Sequence, residues 1–253
     1  MRMKKISFVI ITWNGWTLLR DCLESMGDLL QRDDVEVVVA DNGSSDGTVK
    51  LLQKNYHNVI VVELPKNMGV AYARNRALEK ASGDFLFIID NDIILNDEAV
   101  NGMLDFMETH KEVGLCGCQL VDADGKVQPS CKHYPGIGQK MANFRKSDGY
   151  HYSYDRATMA TPFEPDYLIG ACQLVRREAF EEVGLLDEKI FYGPEDADFC
   201  LRMRRKGWKL VYLPQFRIIH HCQRITSRRI LSPIGRKHIR GLIYFYCKHK
   251  RFI

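Results

Sequence analysis

The sequence predicts an α/β fold built on a mostly parallel, Rossmann-like central sheet flanked by helices. Two observations carry that expectation. Four short runs rich in β-branched residues fall within the first ninety positions, each nearly continuous in apolar character, as strands buried on both faces require. Between them lie stretches with apolar residues at helical spacing, so the order reads βαβαβαβ, a doubly wound arrangement. Composition leaves room for such a core: 253 residues, 45% hydrophobic and 27% charged, with 19 Gly and 8 Pro. That excludes a disordered chain, a collagen-like fibre and a low-complexity tract.

The four strands are ISFVIITW (6–13), VEVVVAD (35–41), NVIVVEL (58–64) and FLFIID (85–90). The first helix follows from Leu18, Leu19, Cys22, Leu23 and Met26. Asp46 is placed to cap GTVKLLQKN, and GVAYARNRALEKASG is expected to run to a stop at Gly83. Asn96 caps a helix over 97–110, and a strand follows over 113–121. Residues 122–165 carry no period and read as loop, apart from a hairpin turn at 122–126. YLIGACQLVRREAF (167–180) reads as one strand running into a short helix. A helix over 195–207 with a glycine stop and a last strand at 208–214 complete the order.

Charge is segregated along the chain. The net value of +4 looks mild, but no Asp or Glu follows Asp198. Residues 1–198 hold 21 basic against 32 acidic side chains, and residues 199–253 hold 15 basic and none acidic. Such a tail suits a polyanion: phosphate, nucleic acid or an anionic membrane surface. No nucleic-acid module accompanies it, so nucleic acid is not expected as a partner. The eight cysteines form no CxxC pair and no zinc spacing. With no signal-peptide apolar run and no stretch near the ~20 residues of a membrane span, a reduced, cytoplasmic chain is expected.

Ligands of open α/β sheets bind beyond the carboxyl ends of the strands. Those ends are polar here. The first carries Thr12, Trp13 and Asn14, the second Asp41 to Asp46, and the third leads through Asn67 and Gly69 to a helix bearing Arg74. The fourth ends in Asp90-Asn91-Asp92. Two carboxylates one residue apart at a strand terminus can share a hard divalent cation with substrate phosphates. Acids, an arginine and an aromatic residue suited to stacking on a base thus gather at one sheet edge, a nucleotide-sized and metal-capable site.

The series FVIITWNGW, VVVADNGSSDGT, NMGVAYARNRAL, FLFIIDND, GPEDADFCLR and IIHH resembles the inverting GT-A glycosyltransferases of family 2. It is most similar to the rhamnosyltransferase-like branch, which builds bacterial surface polysaccharides. The resemblance spans roughly residues 5–222 and extends to the tail segment SPIGRKHIRGLIYFYCKHK, where Arg240-Gly241 stands in place of the branch's usual Arg-Asn. It implies a GT-A fold acting as one unit. A nucleotide-sugar half covers 1–92, an acceptor half 93–221, and a basic loop with an amphipathic tail 222–253.

The resemblance also implies roles. Thr12 and Trp13 line the base pocket and Asp41 bonds a uracil or thymine ring, with Asn14, Asn67, Gly69 and Asn91 completing the donor set. Arg74 neutralises the donor diphosphate. Asp90 approaches the ribose or the metal, Asp92 ligates Mg2+ or Mn2+, and His220 is the further ligand, with His221 the alternative. Asp196 is the general base, with Glu195 orienting either the acceptor or Asp196. Beyond the histidines, CQRIT replaces the family's small, Gly-rich continuation. Arg224, Arg228 and Arg229 read equally as a solvated loop or a cover for the diphosphate.

The implied reaction is metal-dependent, inverting transfer from a UDP- or dTDP-sugar to a hydroxyl of a glycan or lipid-linked acceptor. Two other classes compete. A phosphatase with a DxD nucleophile would normally carry that pair on its first strand, whereas here it is on the fourth. A catalytically inactive nucleotide-sugar binder would have little use for intact Asp90, Asp92 and Asp196. The tail, basic residues among Ile239, Leu242, Ile243, Phe245 and Tyr246, reads either as an anchor on an anionic membrane through 236–253 or as a helix docked on the acidic body. The first reading puts the chain on the cytoplasmic face of a membrane.

Overall fold

A computed structural model describes residues 6–134, 161–222 and 232–250. The expectations for Arg224, Arg228 and Arg229, and for most of 122–165, lie outside the described residues. The first half alternates strictly: β1 (Ile6–Thr12), α1 (Trp16–Ser25), β2 (Val35–Asp41), α2 (Thr48–Asn55), β3 (Val59–Glu63), α3 (Val70–Leu78) and β4 (Phe85–Asp90). Next come β5 (Ile93–Ile94), α4 (Asp97–Thr109), β6 (Val113–Val121), β7 (Val127–Gln128) and β8 (Cys131–Lys132). The chain closes with β9 (Tyr167–Leu168), β10 (Cys172–Arg176), α5 (Arg177–Val183), α6 (Glu195–Arg205), β11 (Lys209–His220) and α7 (Pro233–His249).

The main sheet runs β3-β2-β1-β4-β10-β6-β11-β5, with β7 added to β6. Strands β3, β2, β1 and β4 are mutually parallel, and β6 and β11 form a second parallel pair. Antiparallel β10 joins the two groups, pairing Cys172 with Ile89 of β4 and Leu174 with Cys116 of β6. Alternation sends Phe8 and Ile10 to one face, where they meet residues of α1 and α4, and Val9 to the other, against α3, α5 and α6. Both faces are therefore covered, and Phe8 stacks on Phe87 at 5.2 Å.

Local chemistry explains where elements start. Asn96 accepts from Ala99 N at 2.9 Å and Ser232 from Gly235 N at 3.1 Å, each capping its helix. The turn after β6 closes because Asp122 Oδ1 accepts from Asp124 N and Lys126 N while Gly125 takes φ +77°. Ahead of α2 the cap is Gly47, and Asp46 instead holds Thr48 N at 3.1 Å.

Three further expectations are revised. Helix α3 stops at Leu78 rather than running to Gly83, whose N–H is drawn to Ser7 Oγ at 2.7 Å. The segment 167–180 is two strands, with β9 pairing β8 in a separate ribbon before β10 enters the sheet. The break falls at Gly170, where a Cβ would run into the Arg74 guanidinium. The last strand does not end at Pro214. It bulges between Leu213 and Arg217 and continues to His220, the bulge absorbing a residue that has no N–H to give.

The tail helix docks on the body. Phe245 and Tyr246 pack on Ala197 and Leu201 of α6, while Lys248 Nζ lies 2.7 Å from both Asp187 and Asp198. Exposed Arg236, Lys237, Arg240 and Lys250 remain, with Ile243 58% exposed among them. Among the described residues no helix is long and apolar enough to cross a membrane. All eight cysteines are free, six of them buried.

Candidate active site

Parallel register brings the polar strand ends together. Thr12 stands beside Asp41, and Asp90 beside Ile11, so the ends of β1, β2 and β4 share one edge. Thr12 is buried and its Oγ1 accepts from Asn91 Nδ2 at 3.0 Å. Asp41 Oδ1 accepts from Gly43 N and Ser44 N, while its buried Oδ2 has no hydrogen-bond partner. That orphan acceptor suits a ring N–H. Trp13 is 46% exposed, free to stack on a flat ligand. Asn14, at φ +48°, ties the β1 and β2 loops through Ser44 and Ser45.

Asn67 and Gly69 do structural work in the same loops. Asn67 Oδ1 accepts from Gly69 N at 3.1 Å. Gly69, at φ +97°, abuts Phe191, and a Cβ there would strike the Phe191 backbone. Val70 N donates to Phe191 O at 2.8 Å, so the start of α3 is pinned to the loop that leads into α6.

Asp90, Asp92 and His220 converge, with ligand atoms all within 4.8 Å of one another. His220 Nε2 lies 3.4 Å from Asp92 Oδ1, a buried oxygen that accepts no hydrogen bond. The opposite ring nitrogen is committed: His220 Nδ1 donates to Gln128 Oε1 at 2.8 Å, and Gln128 Nε2 donates to His220 O at 2.8 Å. This fixes the tautomer and leaves Nε2 bare, as a metal ligand requires. Burial alone would lower the His220 pKa, but Asp92 and then Asp90 beside it carry it above the ordinary value. His221 is exposed, and its N–H donates to Asp92 O at 2.9 Å. Two carboxylates, one imidazole and an unpartnered oxygen fit a divalent cation such as Mn2+.

Arg74 does not lie on a solvated helix face. It is 3% exposed; its Nη2 donates to Asp90 Oδ1 at 2.6 Å and to Gly170 O at 2.7 Å, and Nη1 lies 3.6 Å from Glu195 Oε1. Burial would weaken the cation, yet Asp90 and Glu195 hold its pKa above the usual arginine value. Glu195, buried, accepts from Gly193 N at 2.7 Å. Desolvation and the neighbouring Asp196 push its pKa up to about 8 against the pull of Arg74. Asp196 is half-buried and accepts from Gly170 N at 3.1 Å and Ala197 N at 2.7 Å. Burial raises its pKa, opposed chiefly by Lys132.

A sequence model of glycosyl transferase family 2 matches residues 7–184. The chain belongs to glycosyl transferase family 2. Two of its relatives are named as rhamnosyltransferases. It is 28% identical, over 95% of its length and 84% of the other's, to the N-acetylglucosaminyl-diphospho-decaprenol L-rhamnosyltransferase of Mycobacterium tuberculosis. It is 26% identical to a dTDP-rhamnosyl transferase of Shigella flexneri, over 84% and 67% of the two chains. In fold it matches a mannosyltransferase of Pyrobaculum calidifontis solved with GDP-Man and Mn2+, with a TM-score of 0.65 at 20% identity. That match covers 98% of this chain and 64% of the other, and establishes the GT-A fold of the family 2 domain.

Several residues of this family 2 site carry no sequence signal. Gln128 lies in the stretch without period and meets His220 only because β7 pairs with β6 beside β11. Gly170 reads as one more small residue in an apolar run. Asp198 reads as a first-turn acid, although it accepts from Lys248, His249 and Arg202. Strand alternation could have pointed to His220 over His221, since only one of two neighbours faces the site.

Proposed function

We propose that the chain transfers a sugar, with inversion, from a UDP- or dTDP-sugar to a hydroxyl of a glycan or lipid-linked acceptor in surface-polysaccharide assembly. The observation that carries this reading is the Asp90, Asp92 and His220 cluster at the parallel strand ends, joined through Arg74 and Glu195 to half-buried Asp196. The Shigella relative's name supports dTDP-rhamnose as the donor and the mycobacterial name supports a lipid diphosphate as the acceptor's carrier.

In this reading Trp13 stacks on the base, Asp41 Oδ2 accepts its N–H, and Thr12 with Asn91 shapes the pocket floor. Asn14, Asn67 and Gly69 hold the donor loops in place. Asp90, Asp92 and His220 hold the cation; a bound Mg2+ or Mn2+ supplies neutralising charge for the departing nucleoside diphosphate. Asp196 takes the proton of the acceptor hydroxyl as its oxygen bonds the anomeric carbon. The bond to the diphosphate oxygen breaks on the opposite face, and the diphosphate leaves with the electron pair. Glu195, tied to Arg74, orients the helix start that carries Asp196. No second carboxylic acid is needed, unlike the pair that flanks a glycosidic bond in hydrolases.

The donor half extends to residue 92 and the acceptor half to 221, and the exposed cations within 236–253 meet an anionic membrane at the cytoplasmic face. Near such a surface each Lys or Arg contributes ~1 kcal/mol. The test is thermal stabilisation by UDP or dTDP with Mn2+, but not by a phosphomonoester. Stabilisation by neither nucleotide would sink the donor site. Asp196→Asn should abolish transfer while leaving that stabilisation in place, and an active variant would remove Asp196 as the base.

A further inference from the structure

The two-stranded ribbon of β8 and β9 lies beside the proposed base and has no part in the donor site. Lys132 of β8 stands directly opposite Tyr167 of β9, so the two side chains share one face of the ribbon. Tyr167 stacks on Tyr134 at 5.6 Å, and Tyr134 faces Phe245 of α7 at 6.5 Å, making an aromatic wall from the ribbon to the tail helix. Two residues beyond β9, Gly170 gives its N–H to Asp196 at 3.1 Å. The ribbon therefore ends at the group that would receive the acceptor's proton.

Lys132 is half-buried and, among the described residues, its ammonium makes no ion pair and no hydrogen bond. The neighbouring cations differ. Arg74, Lys248 and Arg202 each sit on a carboxylate at 2.6–2.8 Å. The Lys132 charge acts on the Asp196 carboxyl from beyond ion-pair distance, and part of its hydration is lost. That field holds the Asp196 carboxyl in the less basic direction. An anion that arrives with the acceptor and pairs with the ammonium offsets the lost hydration and relieves Asp196 of that field.

We propose that Lys132 is the anion-binding residue of the acceptor subsite, receiving a diphosphate that links the acceptor sugar to its lipid. This rests on the transferase reading above and names the acceptor's chemistry. The half-buried Tyr134 and Tyr167 wall gives the sugar a flat apolar face, and the exposed cations of α7 continue the positive charge toward solvent. Pairing of Lys132 with the diphosphate also lifts its field from Asp196, so the base strengthens only when the correct acceptor is seated.

The experiment compares N-acetylglucosamine carried on a short prenyl chain through a diphosphate with the same sugar as its octyl glycoside. The readout is the ratio of kcat/KM for the two acceptors, with donor hydrolysis in the presence of Mn2+ measured in parallel. Lys132→Gln is expected to lower the preference for the diphosphate acceptor by about tenfold or more, as loss of a charge-assisted contact predicts. Lys132→Arg is expected to retain most of it. A ratio unchanged in Lys132→Gln overturns the assignment. Wild-type transfer to neither compound overturns it as well, while persistent donor hydrolysis would leave the transferase reading standing.

Discussion

Arg74 Nη2 lies 2.6 Å from Asp90 Oδ1, and Arg74 Nη1 lies 3.6 Å from Glu195 Oε1. One buried guanidinium thus connects a carboxylate of the Asp90, Asp92 and His220 cluster with the helix start that presents Asp196. The resemblance assigned this arginine to the donor diphosphate, but its two Nη atoms are already committed to the protein. Arg74→Met is expected to destabilise the fold by ~3–5 kcal/mol, since it strands buried carboxylates without their cation. Arg74→Lys keeps the charge and loses the fork, so it should fold better than Arg74→Met yet transfer sugar poorly. Thermal denaturation and donor turnover, measured together, check both. A fully active Arg74→Met would show the bridge to be dispensable.

Gly170 is expected to tolerate nothing larger. A Cβ would enter the space of the Arg74 guanidinium while the backbone N–H must still reach Asp196. Gly170→Ala should cost ~1–3 kcal/mol of stability through overpacking. It should also lower kcat, because the displaced guanidinium disturbs both Asp90 and the start of the helix that carries Asp196. Steady-state kinetics with donor as the varied substrate would show this, and a pure KM effect would refute it.

Gln128 should matter for metal binding although it touches no metal. Gln128→Leu removes the acceptor that orients His220 Nδ1–H, and Mn2+ affinity is expected to fall ~10–100-fold, the range seen when a ligand histidine loses its orienting partner. His220→Leu should weaken binding further, and His221→Leu much less. Mn2+ titration followed by electron paramagnetic resonance separates the three. Equal losses for His220→Leu and His221→Leu would contradict the geometry.

Acid should loosen the tail helix before the rest of the fold. Asp198 is fully buried, and although burial alone would raise its pKa, Lys248, Arg202 and His249 hold it below the ordinary carboxylate value. Asp187, beside Lys248 and Tyr244, is held down in the same way. A depressed carboxylate contributes stability above its unfolded pKa and loses it as pH falls through the folded one. His249, between Asp198, Arg205 and Lys248, is pulled down chiefly by burial, so its neutral form belongs to the docked state and protonation opposes docking. Docking should therefore weaken as pH falls from the unfolded histidine value of 6.5, and weaken again through the carboxylate range. Hydrogen exchange of α7 amides between pH 7 and pH 3 would report it. In Lys248→Ala the same amides should exchange faster at pH 7, by a loss of ~1–3 kcal/mol. Acid-insensitive exchange would argue that Phe245 and Tyr246 hold the helix alone.

What could be read from the sequence follows the reach of the interactions involved. Strands β1 to β4 announce themselves because each is apolar on both faces, a signal contained within seven residues or fewer. Asn96 as a cap and Asp122 as a turn anchor are equally local. The Asp90-Asn91-Asp92 motif was visible from its place on the fourth strand. The segment 167–180 was misjudged because the pull on Gly170 comes from Arg74, nearly a hundred residues away. Gln128 was invisible for the same reason. Pro214 suggested an end that pairing with β6 overrides. The tail's docking on Asp187 and Asp198 could not be read from its own pattern, because those partners lie about fifty residues or more away in the chain.

Strand β11 fills the gap between β6 and the two-residue β5, pairing His220 with Ile93 beside Asp92. A ribosome releases Asp90 and Asp92 more than a hundred residues before it releases their imidazole partner. During synthesis the two carboxylates therefore wait without it, and a nascent chain stopped anywhere short of residue 220 lacks one of the three members of the cluster. The third member of the cluster joins the first two only once the twelve-residue β11 has been made.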